Sequence, residues 1–281
     1  MPFLERLAPR YVAELFAPLH HELIAVLRGL APSDWDRPPV AGAWRVRDVA
    51  AHLLDGDLRK LAGHRDGHPI GPDRPFRNYG DIVDFINAIN ASGVAYAQRL
   101  SPKLLPDLLD ATGRWVAGFV EGLEPHAPAA IPVAWAGESQ SENWMDTGRE
   151  YTERWHHQMQ IRDAVEAPGL LDVRWLSPLL DFSVRALPPA YADTEAPEGA
   201  AIAFSVTGDA GWAWTLVREG ARWELYRGES EHPATTVRMD ARAAWRLFYN
   251  ALPPQRAREE LTVSGDESLA EPLIRVRSVM V

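Results

Sequence analysis

Residues 44–53 read Trp44-Arg45-Val46-Arg47-Asp48-Val49-Ala50-Ala51-His52-Leu53, and residues 150–160 read Glu150-Tyr151-Thr152-Glu153-Arg154-Trp155-His156-His157-Gln158-Met159-Gln160. Both stretches read as helix. The first sets one imidazole, His52, in an apolar run with Val49, Leu53 and Leu54. In the second, Glu153 and His157 stand one turn apart, roughly 40° from each other at about 100° per residue. Two helices of this kind supply two His and one Glu to a single divalent ion. Three protein ligands with a position left for water or substrate is the open pattern of catalytic zinc sites. Zn²⁺ fits this set best, and Fe²⁺, Ni²⁺ or Mn²⁺ fit the same triad.

Taken alone, a Glu and a His four apart also describe a solvated helix face, and His52 alone also reads as a packed histidine. Glu150, one turn before Glu153, is a candidate ligand, a hydrogen-bond acceptor for an imidazole N–H, or a general base. His156 points about 100° from His157, so the two are not expected on one ion. Trp44 and Trp155 read as packing residues beside the cluster. His20 and His21 read as surface residues, and His64 and His68 lie in a polar loop. Asp55 and Arg59 follow His52 by about one and two turns, either lining a pocket or forming an exposed ion pair of small energetic weight.

Working outward, the apolar spacing and the Pro and Gly positions set the elements. Leu4, Leu7, Tyr11, Leu15, Leu19, Leu23 and Leu27 predict an amphipathic helix over 3–30, kinked or late-starting because of Pro9 and Pro18. Further helices are expected at about 45–61, 80–100, 107–122 and 141–165, with Pro-rich loops between them. This is the rhythm of a helical bundle with short connections. After 172–190, one more helix, residues 191–200 read as a linker. Strand character follows in Ala201–Val206, Trp212–Val217, Trp223–Tyr226, Thr235–Met239 and Leu261–Ser264, punctuated by Gly208, Gly211, Gly220 and Gly228. Asp240–Ala251 reads as a helix. The expected class is α+β: a helical bundle of four to five helices over 1–170, then a small α+β domain over 171–281.

The 281 residues contain no Cys, which removes disulfides, zinc ribbons and cysteine nucleophiles. Any thiol chemistry needs a thiol brought in from outside. A net charge of −10 argues against a nucleic-acid or membrane-surface role. No apolar run approaches the ~20 residues that cross a bilayer. The N-terminus lacks a charged-then-apolar leader pattern, so a cytoplasmic protein is expected.

Ser33-Asp34-Trp35-Asp36-Arg37-Pro38-Pro39 followed by Gly42-Ala43-Trp44 through His52-Leu53 resembles the N-terminal signature of the mycothiol-dependent maleylpyruvate isomerase family, part of the wider DinB-like superfamily of metal-binding bundles. Glu153 to Asp163 resembles that family's second motif. The stretches Trp212–Leu216, Ala234–Val237 and Val263–Leu269 resemble the sterol-carrier-like αβ unit that follows the bundle there. The resemblance implies metal ligands at His52, Glu153 and His157. It also implies a low-molecular-weight thiol cofactor such as mycothiol or bacillithiol, and a small electrophilic substrate. For maleylpyruvate, the implied chemistry is thiol addition to the double bond, rotation, then elimination. Arg47, Arg59 and Arg162 are candidates to hold a carboxylated substrate or cofactor. One position departs from the pattern: many members carry an acidic residue where this chain has Gln160. The expectation is a metal-dependent thiol transferase or isomerase, monomeric or homodimeric. The alternatives are a non-enzymatic binding protein using the strand-rich segment and its Trp residues, and a metal-dependent hydrolase with Glu150 as base.

Overall fold

The computed structural model describes residues 4–40, 42, 44–208 and 212–279. Phe3, Ala43 in the first motif and the turn expected at Gly211 lie outside the described residues. The chain forms two compact units interleaved along the sequence. One comprises Tyr11–Ala130 with Glu153–Gly169; the other comprises the N-terminal stretch up to Arg10, Ile131–Thr152, and the chain from Leu170 onward. The chain leaves the helical unit for the last time after Gly169.

The helical unit holds α1 (Phe16–Gly29), α2 (Val46–Lys60), α3 (Tyr79–Ala97), α4 (Leu104–Glu121) and the second half of α5 (Asn143–Ala164). The expected first helix begins later than its apolar spacing predicted. Residues 4–12 hold no helix, and Pro18 sits in the first turn of α1, where a missing N–H costs nothing. α2 starts where Asp48 accepts a hydrogen bond from the Arg45 backbone N–H at 2.9 Å, satisfying a donor that the helix leaves unpaired. Its inward face is Val46, Val49, Ala50, Leu53 and Leu54, packed with Leu23, Ile24, Leu27, Trp35, Leu105, Leu109 and Ile161. Burying each large aliphatic side chain stabilises by about 1.5–3 kcal/mol, so this stripe fixes the rotation of α2. His52, Asp55 and Arg59 then fall together on its flank. α2 ends in a π-helical turn over Leu61–Arg65 that carries His64. α3 is capped by Asn78, whose side chain accepts from the Asp81 N–H at 3.0 Å. α3 approaches α2 closely because residue 93 is glycine: a Cβ there would lie 2.3 Å from the Asp55 carboxyl carbon.

The second unit is built on a six-stranded mixed sheet in the order β1-β4-β3-β2-β5-β6. The strands are β1 (Glu5–Arg6), β2 (Ala201–Thr207), β3 (Trp212–Glu219), β4 (Arg222–Arg227), β5 (Thr235–Asp240) and β6 (Thr262–Gly265). β2, β3 and β4 form an antiparallel meander, β5 returns parallel to β2, and β6 pairs antiparallel with β5. β1 corrects the sequence reading: Glu5 and Arg6, expected in a helix, pair with Arg227 and Tyr226. A two-residue strand whose partner lies more than 200 positions away leaves no local periodicity to read. The unit also contains the first half of α5, α6 (Val173–Ser183), α7 (Leu187–Ala190), α8 (Ala241–Phe248), α9 (Pro254–Glu260) and α10 (Glu271–Arg275). The helix expected over 240–251 is followed by Pro253-Pro254. Pro254 opens α9, because its fixed φ suits the first helical position. Phe204, Trp214 and Phe248 anchor the core with ring centroids 6.0 Å apart in both pairs. Among the described residues, no helix is long and apolar enough to cross a membrane.

Candidate metal centre

The second half of α5 is buried around most of its circumference, yet it is strongly polar: Arg154, His156, His157, Gln158, Gln160 and Arg162 all lie inside. Helical geometry sorts them into two stripes. Glu153, His157 and Gln160 fall within about 60° of one another, and Arg154, Gln158 and Arg162 within about 80°, the two stripes centred about 130° apart, a little over a third of a turn.

The first stripe meets the flank of α2. His52, Glu153 and His157 each offer one ligand atom, and these atoms all lie within 4.8 Å of one another. The His157 Nε2 and Glu153 Oε2 atoms are 3.5 Å apart. Ligands about 2 Å from an ion at tetrahedral angles lie about 3.3 Å apart, so little closing movement is needed. The His52 and His157 rings meet edge to face with centroids 4.6 Å apart. Trp44 covers both, at 5.0 Å from His52 and 6.3 Å from His157. The His156 ring lies on His157 at 4.0 Å.

Two features test whether these residues suit a cation. The His52 Nδ1 atom is buried with no hydrogen-bond partner, an uncompensated cost in a folded interior. Burial pushes the His52 imidazole well below its ordinary pKa; His157 adds to this and Glu153 opposes it. The ring is therefore neutral, the form that ligates metal. On His157, Nδ1 is 2.8 Å from the Gln160 Oε1. Oε1 only accepts, so this contact suits the tautomer with the proton on Nδ1 and the Nε2 lone pair facing Glu153. The donor set, its protonation and its spacing all fit a divalent ion.

The remaining candidates are placed as follows. Arg59 lies on the His52 flank of α2, held by Asp55 at 2.8 Å and by the Asn90 side chain at 2.8 Å. Asp55 and Arg59 form a partly buried pair, not a fully exposed one. Arg47 is engaged with Asp36. Glu150 belongs to the other unit, accepts a hydrogen bond from Arg149 at 3.1 Å, and is not one of the three converging groups. Arg162 is not brought to the cluster. Its guanidinium donates to the Pro168 carbonyl at 2.6 Å and to Glu22 at 2.9 Å. His64 and His68 stand outside the cluster. His20, expected at the surface, is buried on α1 at 7% exposure, while His21 is exposed. Sequence reasoning marked Gln160 only as a departure from the family pattern and foresaw neither its contact with His157 nor that of the His156 ring. Their spacing from His157, one and three residues, carries no signal until the burial of α5 is known.

The family described as mycothiol maleylpyruvate isomerase N-terminal domain matches residues 16–162. Among solved structures, the crystal structure of the mycothiol-dependent maleylpyruvate isomerase superposes with a TM-score of 0.54 at 11% sequence identity, over 90% of this chain and 91% of that one. A histidine-to-alanine mutant of that isomerase gives 0.53 at 11% identity, with the same coverage of both chains. At such identity the likeness is one of fold. None of the curated proteins matches the chain.

Proposed function

The chain belongs to the mycothiol maleylpyruvate isomerase N-terminal domain family, and from that premise we propose that it is a cytoplasmic enzyme, a divalent-metal-dependent thiol transferase or isomerase. In this reading His52, Glu153 and His157 hold the ion, Zn²⁺ by preference, and a low-molecular-weight thiol of the mycothiol type acts with it on a small electrophile. The observation that carries the reading is the convergence of the three donor atoms within 4.8 Å, with the buried His52 Nδ1 left unpaired.

A bound divalent cation holds a coordinating thiol as thiolate at neutral pH. That supplies the nucleophile that a chain without Cys cannot provide itself. The chain's own residues do the rest. Burial keeps His52 neutral, and Gln160 keeps the His157 proton on Nδ1, so both rings present lone pairs. The single carboxylate of Glu153 leaves a net positive charge at the site when a divalent ion is bound. Trp44 walls the two imidazoles. Arg59, held on the same flank of α2, is the cation placed to receive a carboxylate of the thiol or the electrophile.

The test is elemental analysis of protein purified without added metal, beside the His52→Ala and His157→Ala variants. About one divalent ion per chain, lost in both variants, is expected from three-ligand coordination, together with turnover of an electrophile that depends on added thiol. Wild-type protein that neither carries nor takes up a divalent ion would overturn the reading.

A further inference from the structure

We propose that Gln160 is a positioning residue for the His52, Glu153 and His157 cluster: its side-chain carbonyl locks His157 in the Nδ1–H tautomer and, being uncharged, keeps that imidazole a moderate donor to an ion. The second half of this inference rests on the metal reading above; the first does not.

A neutral imidazole has one N–H, and either nitrogen can carry it. If Nε2 carried it here, that proton would point at Glu153, whose Oε2 is 3.5 Å away. The two residues would then satisfy each other and be closed to an ion. In that state the Nδ1 lone pair would face the Gln160 Oε1 lone pairs across 2.8 Å, whereas an Nδ1 proton makes this contact a hydrogen bond, so the contact favours Nδ1–H. Both partners are sheltered, at 8% exposure for His157 and 4% for Gln160, so water does not compete for the bond. Residues 157 and 160 are one turn apart on one helix, so the arrangement needs no other element to maintain it.

The choice of an amide has an electronic consequence. An anionic acceptor draws the Nδ1 proton more strongly and makes the imidazole more basic. An amide fixes the same geometry without that push. Glu153 therefore remains the one anionic donor, and an ion held here withdraws electrons more strongly from whatever occupies its open position.

The test has two readouts on Gln160→Leu and Gln160→Glu. The first is the long-range ¹H–¹⁵N spectrum of the histidine rings in metal-free protein, which reports the tautomer. Wild type and Gln160→Glu should show His157 protonated at Nδ1, and Gln160→Leu should lose that signature. The second is Zn²⁺ affinity measured against a chromophoric chelator. Loss of such an outer partner weakens binding by about 10–100-fold, so Gln160→Leu should fall by that factor while Gln160→Glu binds at least as tightly as wild type. Wild-type His157 protonated at Nε2 would overturn the proposal, as would Gln160→Leu binding Zn²⁺ as tightly as wild type. Should Gln160→Leu fail to fold, Gln160→Glu decides alone: a weaker affinity there overturns the electronic claim. A correct tautomer in a wild-type protein that takes up no ion would overturn the metal reading and the electronic claim with it, while leaving the positioning role standing.

Discussion

The two polar stripes on the buried half of α5 are about a third of a turn apart and are completed in different ways. Arg154, Gln158 and Arg162 are met by the rest of the helical unit. Arg154 pairs with Asp57, Gln158 donates to the Leu19 carbonyl at 3.0 Å, and Arg162 reaches the Glu22 side chain and two backbone carbonyls. Opposite charges and donor–acceptor pairs are matched there. Glu153, His157 and Gln160 are met instead by His52, whose buried Nδ1 has no partner. With His52 that stripe gathers two imidazoles and one carboxylate whose ligand atoms converge. The difference separates scaffold from site. Both stripes bear the cost of burying polar groups; the first offsets it with the Arg154–Asp57 and Arg162–Glu22 ion pairs, and the second faces a His52 Nδ1 atom left without a hydrogen bond.

The largest effect that would break this contrast lies in the paired stripe. Asp57 is fully buried and Arg154 nearly so. Arg154→Met removes a buried cation from its carboxylate, a change that costs about 3–5 kcal/mol when one partner of a buried pair is lost. Chemical denaturation should show that loss with the Zn²⁺ affinity of the remaining folded protein unchanged. If Arg154→Met is as stable as wild type, the paired stripe is not the scaffold described here.

The ligand stripe makes the complementary prediction. Wild-type protein should gain about 4 kcal/mol of stability when free Zn²⁺ is a thousandfold above its dissociation constant, seen as a melting temperature that climbs with ion concentration. His52→Ala should show no such climb. A climb of equal size in both proteins would place the ion elsewhere.

How much of this was legible beforehand follows from the same contrast. The ligand trio could be read because His52 lies in an apolar helical run and Glu153 and His157 share a helical face; both are local patterns. α2, α3, α4 and α5 could be placed for the same reason, from apolar spacing bounded by Pro and Gly. The pairing of Arg154 with Asp57 and the burial of His20 depend on which faces of separate helices meet, and no spacing encodes that. Arg162 shows the error that results. An Arg near a site reads as an anion holder until its partners, Glu22 and Pro168, are known. β1 shows it at longer range, since Glu5 and Arg6 take their strand conformation from β4.

His20 carries the next effect. Burial and the nearby Arg154 and Arg114 lower its pKa from 6.5 to about 4, with Asp110 opposing. Asp110 lies 3.9 Å from Nε2. A Cβ on Gly113 of α4 would sit 2.1 Å from the ring, so the glycine is what admits the imidazole. The sign follows from proton counting. Between pH 6.5 and about 4 the unfolded chain binds the proton and the folded chain does not, so stability is full above that window and is lost as pH falls through it. The shift corresponds to about 3 kcal/mol at most. Unfolding measured across the window should show wild type losing stability that a non-titrating His20→Gln variant retains. Parallel curves for the two proteins would show that the ring titrates normally.

The smallest effect is the most selective. The Thr112 hydroxyl donates to the Asp57 Oδ2 atom at 2.7 Å, a bond to a buried charge beside the Arg154 pair. Thr112→Val keeps the shape and removes the donor, which costs about 2 kcal/mol for a hydrogen bond to a charged group. Asp57 and His52 are on the same helix, as are Arg154 and His157. If the stripes are separate devices, Thr112→Val lowers stability and leaves both the Zn²⁺ affinity and the His157 tautomer as in wild type. Combined with Arg154→Met, it should lower stability by less than the two changes summed, because both act on one carboxylate. Combined with His52→Ala, the losses should add. A Thr112→Val protein whose Zn²⁺ affinity falls in step with its stability would mean that α2 and α5 transmit strain between the stripes, so that the paired stripe sets the geometry of the ligand stripe.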